Sequence, residues 1–246
     1  MNVVQQLYII TKRLQNPPIP NMVHLEIACF NDESARRAHW ARVDRIELCR
    51  DVAAGGLTPD EHVFRQLKHA FPTPIHVMVR TPSNGPILSE ADLAQMDAEI
   101  RNFELSGAAG FVFGGLGPDG RIDEYRMHDL VRRANGRPCT FHRAFDNLNE
   151  LDMENELEKL IRCGFKAVLT SGGAPTAYDG RHRLQRLVER ARGRIEIIVA
   201  GNVRSVDVHH LRDIGATWFH SSAIVDGGEE ASNGELTALK RELDRW

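Results

Sequence analysis

Several acidic, basic and imidazole side chains sit inside short apolar runs, where a charge needs a reason. Glu26 lies in HLEIAC (24–29), Glu47 in RIELC (45–49), and His76 and Arg80 in IHVMVR (75–80). His142 lies in CTFHRAF (139–145) and His220 in TWFHSS (217–222). Paired carboxylates beside imidazoles can divide acid and base roles when their surroundings push the pKa values apart. Arg80 and Arg143 carry planar guanidinium groups that grip a carboxylate or phosphate through two parallel hydrogen bonds. Three further segments, Thr170-Ser171-Gly172-Gly173, Gly201-Asn202-Val203-Arg204 and His220-Ser221-Ser222, place glycines and hydroxyls where backbone N–H groups can approach an anion. The catalytic candidates are therefore Glu26, Glu47, His142 and Asp146. The anion-binding candidates are Arg80, Arg143, Ser171, Gly172, Gly201, His220 and Ser221. The plainer alternatives are a self-neutralising interior network for the charges and tight strand-to-helix turns for the glycines.

These residues need a frame, and the chain supplies a repeating one. Eight β-rich runs, the five above plus GFVFG (110–114), KAVLTS (166–171) and IEIIVAG (195–201), are each followed by a helical stretch. Thr58-Pro59-Asp60-Glu61 predicts a helix start with Thr58 as cap and Pro59 in the first helical position. Ser89-Glu90-Ala91-Asp92 predicts another, with Leu93, Met96, Ile100 and Phe103 on one face. Eight such units predict an α/β fold, a (β/α)8 TIM barrel. A doubly wound open sheet competes, but the loop after the first run lacks its usual Gly-rich turn. Residues 23–246 form the barrel domain in this reading, and residues 1–22, ending in Pro17-Pro18-Ile19-Pro20, form an N-terminal arm.

Alternate residues of a strand face opposite sides. The apolar parity (Leu25, Ile27, Cys29; Ile46, Leu48; Val77, Val79; Phe141; Phe219) has to meet the helices. Glu26, Glu47, His76, Arg80 and His142 are then expected in the lumen, near the strand ends where this fold builds its sites. The eighth run sorts less cleanly, with His220 and Ser222 on the parity opposite Phe219 and Ser221.

Composition bounds the partners. The 246 residues carry 31 Lys and Arg against 34 Asp and Glu, a net charge of -3, which supplies no drive toward nucleic acid or an anionic membrane. No apolar run approaches the roughly 20 residues of a spanning helix. Four scattered cysteines (29, 49, 139 and 163) and no signal-like N-terminus predict a reducing cytoplasm.

Taken in order, Leu25-Glu26-Ile27, Arg45-Ile46-Glu47-Leu48-Cys49, Gly55-Gly56-Leu57-Thr58-Pro59, His76-Val77-Met78-Val79-Arg80, Thr140-Phe141-His142-Arg143-Ala144-Phe145-Asp146, Leu169-Thr170-Ser171-Gly172-Gly173-Ala174-Pro175 and Phe219-His220-Ser221-Ser222 resemble the CutC family. The resemblance implies a TIM barrel, a cytoplasmic homo-oligomer (dimer or tetramer) and an assigned role in copper homeostasis, with Cu(I) as ligand. It implies Cys49 as the metal ligand, because Cys49 matches the second of the two family cysteines. The first is displaced: Ala28 stands at the family position and Cys29 follows it, rotated by parity to the helix-facing side. Cu(I) favours two thiolates, or thiolate with thioether or imidazole. Two functions follow: a copper-binding homeostasis protein, and a TIM-barrel enzyme or binder of a small anionic metabolite bearing phosphate or carboxylate. The family puts copper first; the damaged cysteine pair and intact charged lumen put the metabolite first.

Overall fold

The computed structural model describes residues 22–82, 85–225 and 227–246. Of the expected arm only Met22 is among them; residues 1–21 lie outside the described residues. Eight parallel strands close into a barrel in sequence order: β1 His24–Cys29, β2 Arg45–Leu48, β3 Ile75–Met78, β4 Gly110–Phe113, β5 Cys139–Phe141, β6 Ala167–Thr170, β7 Glu196–Val199 and β8 Trp218–Ser221. The ring shuts by pairing β1 with β8, which sets Glu26 beside His220, while on the other side Glu26 pairs with Arg45 of β2. Among the described residues no helix is long and apolar enough to cross a membrane.

The parity expectation holds. Leu25, Ile27, Cys29, Ile46, Leu48, Val77, Phe141 and Phe219 are fully buried in one cluster with Phe64, Leu67, Ile100, Leu157 and Leu184 of the surrounding helices. Each such side chain stabilises the barrel by about 1.5–3 kcal/mol. The lumen is divided. Ala167, Leu169, Ile198, Ala200 and Trp218 fill the side of β6 to β8, and polar groups occupy the side of β1 to β3.

Ser89 caps the helix Glu90–Leu105 as expected, in a reciprocal box with Asp92. Two local expectations fail. The helix expected to start at Thr58 spans Glu61–Ala70 with Asp60 at its cap. Thr58 instead accepts from the Arg80 amide at 3.0 Å and donates to Glu99 at 2.5 Å, so a long-range tie takes the hydroxyl a cap would use. The run 139–145 is strand only to Phe141; Arg143–Asn147 turn into a 3-10 helix that carries Arg143 and Asp146 over the barrel mouth. After β7 the connection is also 3-10, Val208–Ile214, rather than a full α-helix.

Gly110 is required by an interior neighbour. A Cβ there would lie 2.5 Å from Nε2 of His76, whose ring fills the lumen. Gly110→Ala is expected to cost about 1–3 kcal/mol of unfolding free energy through overpacking. In urea titrations, much of that loss should be absent when the change is made in a His76→Ala background. Equal losses in both backgrounds would show that the ring is not the obstacle.

Candidate functional site

The deepest charged group is built on the first two strands and the last. Glu26 is 0% exposed. It accepts from Nε of Arg45 at 2.5 Å and meets Nδ1 of His220 at 2.7 Å. Nε2 of His220 lies 3.4 Å from Oε2 of Glu47, so one imidazole bridges two carboxylates. Arg45 is held from below, its guanidinium carbon 4.0 Å from the centroid of Trp218, which stacks on His24.

The electrostatics follow from these contacts. Burial would raise Glu26, but Arg45 and the His220 hydrogen bond overcome it and hold that carboxyl well below the usual range. Glu47 is buried with less compensation: desolvation and the charge of Glu26 outweigh His220 and Arg45 and push it up to about 7. His220 is raised despite burial, by Glu47 and Glu26. His142 and His76 go the other way. Burial, then the charge of Arg80, lowers His142 to about 4; burial, then Arg45, lowers His76 to about 3. Both rings are neutral at pH 7.

Above this group a cavity of about 720 Å³ opens at the C-terminal ends of the strands. Glu47, His220, Arg80, His142, Arg143, Asp146, Gly201 and Ser221, all sequence candidates, line it together with Cys49 and Met78. Glu26 lies beneath, behind His220. Arg80 is steadied by Nη1 donating to the carbonyls of Ala54 at 2.8 Å and Gly56 at 3.0 Å. It makes no ion pair with a carboxylate among the described residues. Arg204, at the end of a loop quoted above but absent from the candidates, behaves alike: it donates to Ser221 Oγ at 3.0 Å and the Ile224 carbonyl at 2.8 Å, without an acidic partner among the described residues.

The glycine loop differs from expectation. Asp146 accepts from Thr170 Oγ1 at 2.5 Å, the amides of Ser171 and Gly173 at 3.0 Å each, and Arg143 Nε at 2.8 Å. The Gly172 amide donates to Thr170 Oγ1 at 2.8 Å. The N–H groups that would cradle an anion are already bonded to the protein's own oxygens, and Ser171 and Gly172 do not line the cavity. Asp146 and Arg143 thus hold the loop over the mouth. Gly201 lets the next loop close against it: at φ 101, its Cβ would come 2.7 Å from Cβ of Ser171.

Cys29 and Cys49 do not form a thiol pair in the lumen. Cys29 is packed among the helix-facing residues, while Cys49 packs with Met78 and Val112 in the lumen. The Cys49 thiol lies 3.5 Å from the Cys29 carbonyl, and burial, then Glu47, push it well above its ordinary pKa. The lumen side thus offers one protonated thiol and a thioether rather than a thiolate pair. Glu26, Glu47 and His220 bring donor atoms within 4.8 Å of one another, but both ring nitrogens of His220 already face carboxylates and Arg45 sits on Glu26. These residues do not fit a resident Cu(I) ion.

Three comparisons place the chain among known proteins. A family model described as the CutC family matches residues 23–225. A human protein named copper homeostasis protein cutC homolog is 38% identical over 200 residues, 81% of this chain and 72% of that one. A CutC family protein of Porphyromonas gingivalis is 38% identical over 201 residues, covering 81% and 80%. A solved CutC structure from Streptococcus agalactiae superposes with a TM-score of 0.78 at 26% identity, over 82% of this chain and 99% of that one.

Proposed function

The chain belongs to the CutC family, and from that premise and the chemistry of its cavity we propose that it binds and acts on a small anionic metabolite bearing a phosphate or carboxylate. One observation carries this reading: Arg80 lines a roomy cavity, fastened by backbone carbonyls and paired with no acid among the described residues. A partly buried guanidinium held this way keeps its charge available for an anion. Arg204 adds a second such charge. Below them, Glu47 and His220 supply groups able to hold or pass a proton.

Thermal-shift measurements with sugar phosphates and small carboxylic acids test it. At least one compound should raise the Tm of the wild type, and Arg80→Ala should bind it at least tenfold more weakly, about 1.4 kcal/mol. If no compound stabilises the wild type more than Arg80→Ala, the reading falls.

A second reading keeps copper as cargo, in line with relatives named for copper homeostasis. What favours it is the contact of Cys49 with Met78 on the lumen wall, two soft donors side by side. Cu(I) titration against a competing chelator decides it, since equal weak retention by wild type and Cys49→Ser would end it. A cytoplasmic location belongs to the proposal, supported by four buried, unpaired cysteines. Homo-oligomerisation rests on the family resemblance alone.

A further inference from the structure

We infer, building on the anionic-metabolite reading, that the substrate is a phosphorylated or carboxylated aldehyde or ketone, and that Glu47 moves a proton at the carbon next to its carbonyl while His142 holds the carbonyl oxygen.

Glu47 has the placement for this. It is 2% exposed and lines the cavity. Oε2 faces His220, whereas Oε1 is buried without a hydrogen-bond partner among the described residues. A buried carboxylate oxygen left unpaired is costly unless a ligand group meets it. His142 has the complementary form. Its Nδ1 accepts from the Ala144 amide at 3.2 Å, so the ring proton resides on Nε2. A neutral imidazole lining the cavity then offers an N–H to an oxygen on which charge develops.

The remaining chemistry at the mouth narrows the reaction. Among the described residues no lysine lines the cavity: Lys68 bonds the Ser106 carbonyl, Lys159 pairs with Glu156, Lys240 with Asp44 and Asp244, and Lys166 is exposed. Among the described residues, then, no lysine is placed to capture a carbonyl substrate as an imine. The route left to Glu47 and His142 is the enolate. The Glu47 carboxylate takes the proton from carbon, and the C–H electron pair becomes the C=C bond. The carbonyl π pair moves to oxygen, which accepts the His142 N–H. Return of the proton to the same carbon on its other face completes an epimerisation. Where that carbon carries a hydroxyl, its O–H proton passes to the enolate oxygen and Glu47 returns its proton to the former carbonyl carbon, which completes an isomerisation. Neither route needs a co-reactant. Arg80 anchors the substrate's anionic group.

Incubation with dihydroxyacetone phosphate, ribulose 5-phosphate and fructose 6-phosphate in D₂O, followed by proton NMR, reads the step as loss of the signal beside the carbonyl. Wild type should wash out that proton from at least one compound. Glu47→Gln should slow the exchange at least 100-fold while the same compound still raises its Tm. Should Glu47→Gln not fold, Glu47→Asp should fold and exchange measurably more slowly. His142→Gln, which keeps an N–H donor, should retain more exchange than His142→Ala. Compounds that bind wild type without exchange, or exchange undiminished in the Glu47 variants, would overturn the inference while leaving the anion site standing. Absence of binding to wild type would remove both.

Discussion

Glu26→Gln should lower the unfolding free energy by about 3–5 kcal/mol, the range for removing one partner of a buried ion pair. The carboxylate of Glu26 is the only one touching Arg45 among the described residues, and it also anchors His220. The amide keeps the shape but leaves the Arg45 guanidinium facing a neutral group, with Nη2 of Arg45 already buried and without a hydrogen-bond partner among the described residues. His220 sheds part of its burden by deprotonating; Arg45 has no such escape. The double variant Glu26→Gln with Arg45→Met should recover a large share of the loss, because neither member is then an orphaned charge. Urea titrations of the wild type, both single variants and the double variant measure this. A Glu26→Gln loss within about 0.5 kcal/mol of zero, the scatter of ordinary surface substitutions, would show that the lumen charges are not coupled.

Acid should destabilise the protein, beginning well above the range in which ordinary carboxylates titrate. His76 and His142 have folded pKa values of about 3 and 4, below the 6.5 of the free side chain. Their unfolded forms therefore bind protons first, so the stability they carry is full above 6.5 and drains away as pH falls toward those values. Glu26, lowered from 4.5, contributes stability that is present above 4.5 and is lost as pH falls further. Glu47 opposes them: raised to about 7, it favours the folded state at low pH and loses that contribution as pH climbs from 4.5 to 7. His220, also raised, loses its contribution on the alkaline side. Between 6.5 and 4.5, two imidazoles work against one carboxyl, a net cost of about one proton, or ~1.4 kcal/mol per pH unit. Below 4.5 the opposition from Glu47 is spent and the decline steepens. His142→Gln should flatten the unfolding free energy between pH 6.5 and 4.5 by about one proton, followed by urea titration at stepped pH. An unchanged slope would show that His142 is not buried neutral.

Much of the site was legible because burial sorts strand residues by parity. Leu25 and Ile27 had to meet helices, which left Glu26 in the lumen, and the same reasoning placed Glu47, His76, Arg80 and His142. It also separated Cys29 from Cys49. What parity does not reveal is which neighbour a buried charge touches. Arg45 shares the lumen parity of Glu47, yet its role as the clamp on Glu26 follows from the β1–β2 register, with Glu26 opposite Arg45 and Ala28 opposite Glu47. Asp146 stood among the catalytic candidates, in the same short segment as His142 and Arg143. Its oxygens are instead taken by Thr170, Ser171 and Gly173, more than twenty residues away in sequence. Arg204 carried the weakest signal, a single basic residue after Gly201-Asn202. Its lack of an acidic partner among the described residues emerges only from its surroundings.

The amino-acid order by itself determined the number of strands, the faces they turn to the helices and the set of polar groups that the ring encloses. Those properties depend on periods of two and about 3.6 residues and on the cost of leaving apolar surface in water, all of which act locally along the chain. Only the closed tertiary structure decided that His220 bridges Glu26 and Glu47, that Arg80 and Arg204 pair with no acid among the described residues, and that the glycine loop spends its amides on Asp146. Those outcomes depend on the stagger between strands and on loops meeting across the barrel mouth, where residues nearly two hundred positions apart come within hydrogen-bonding distance.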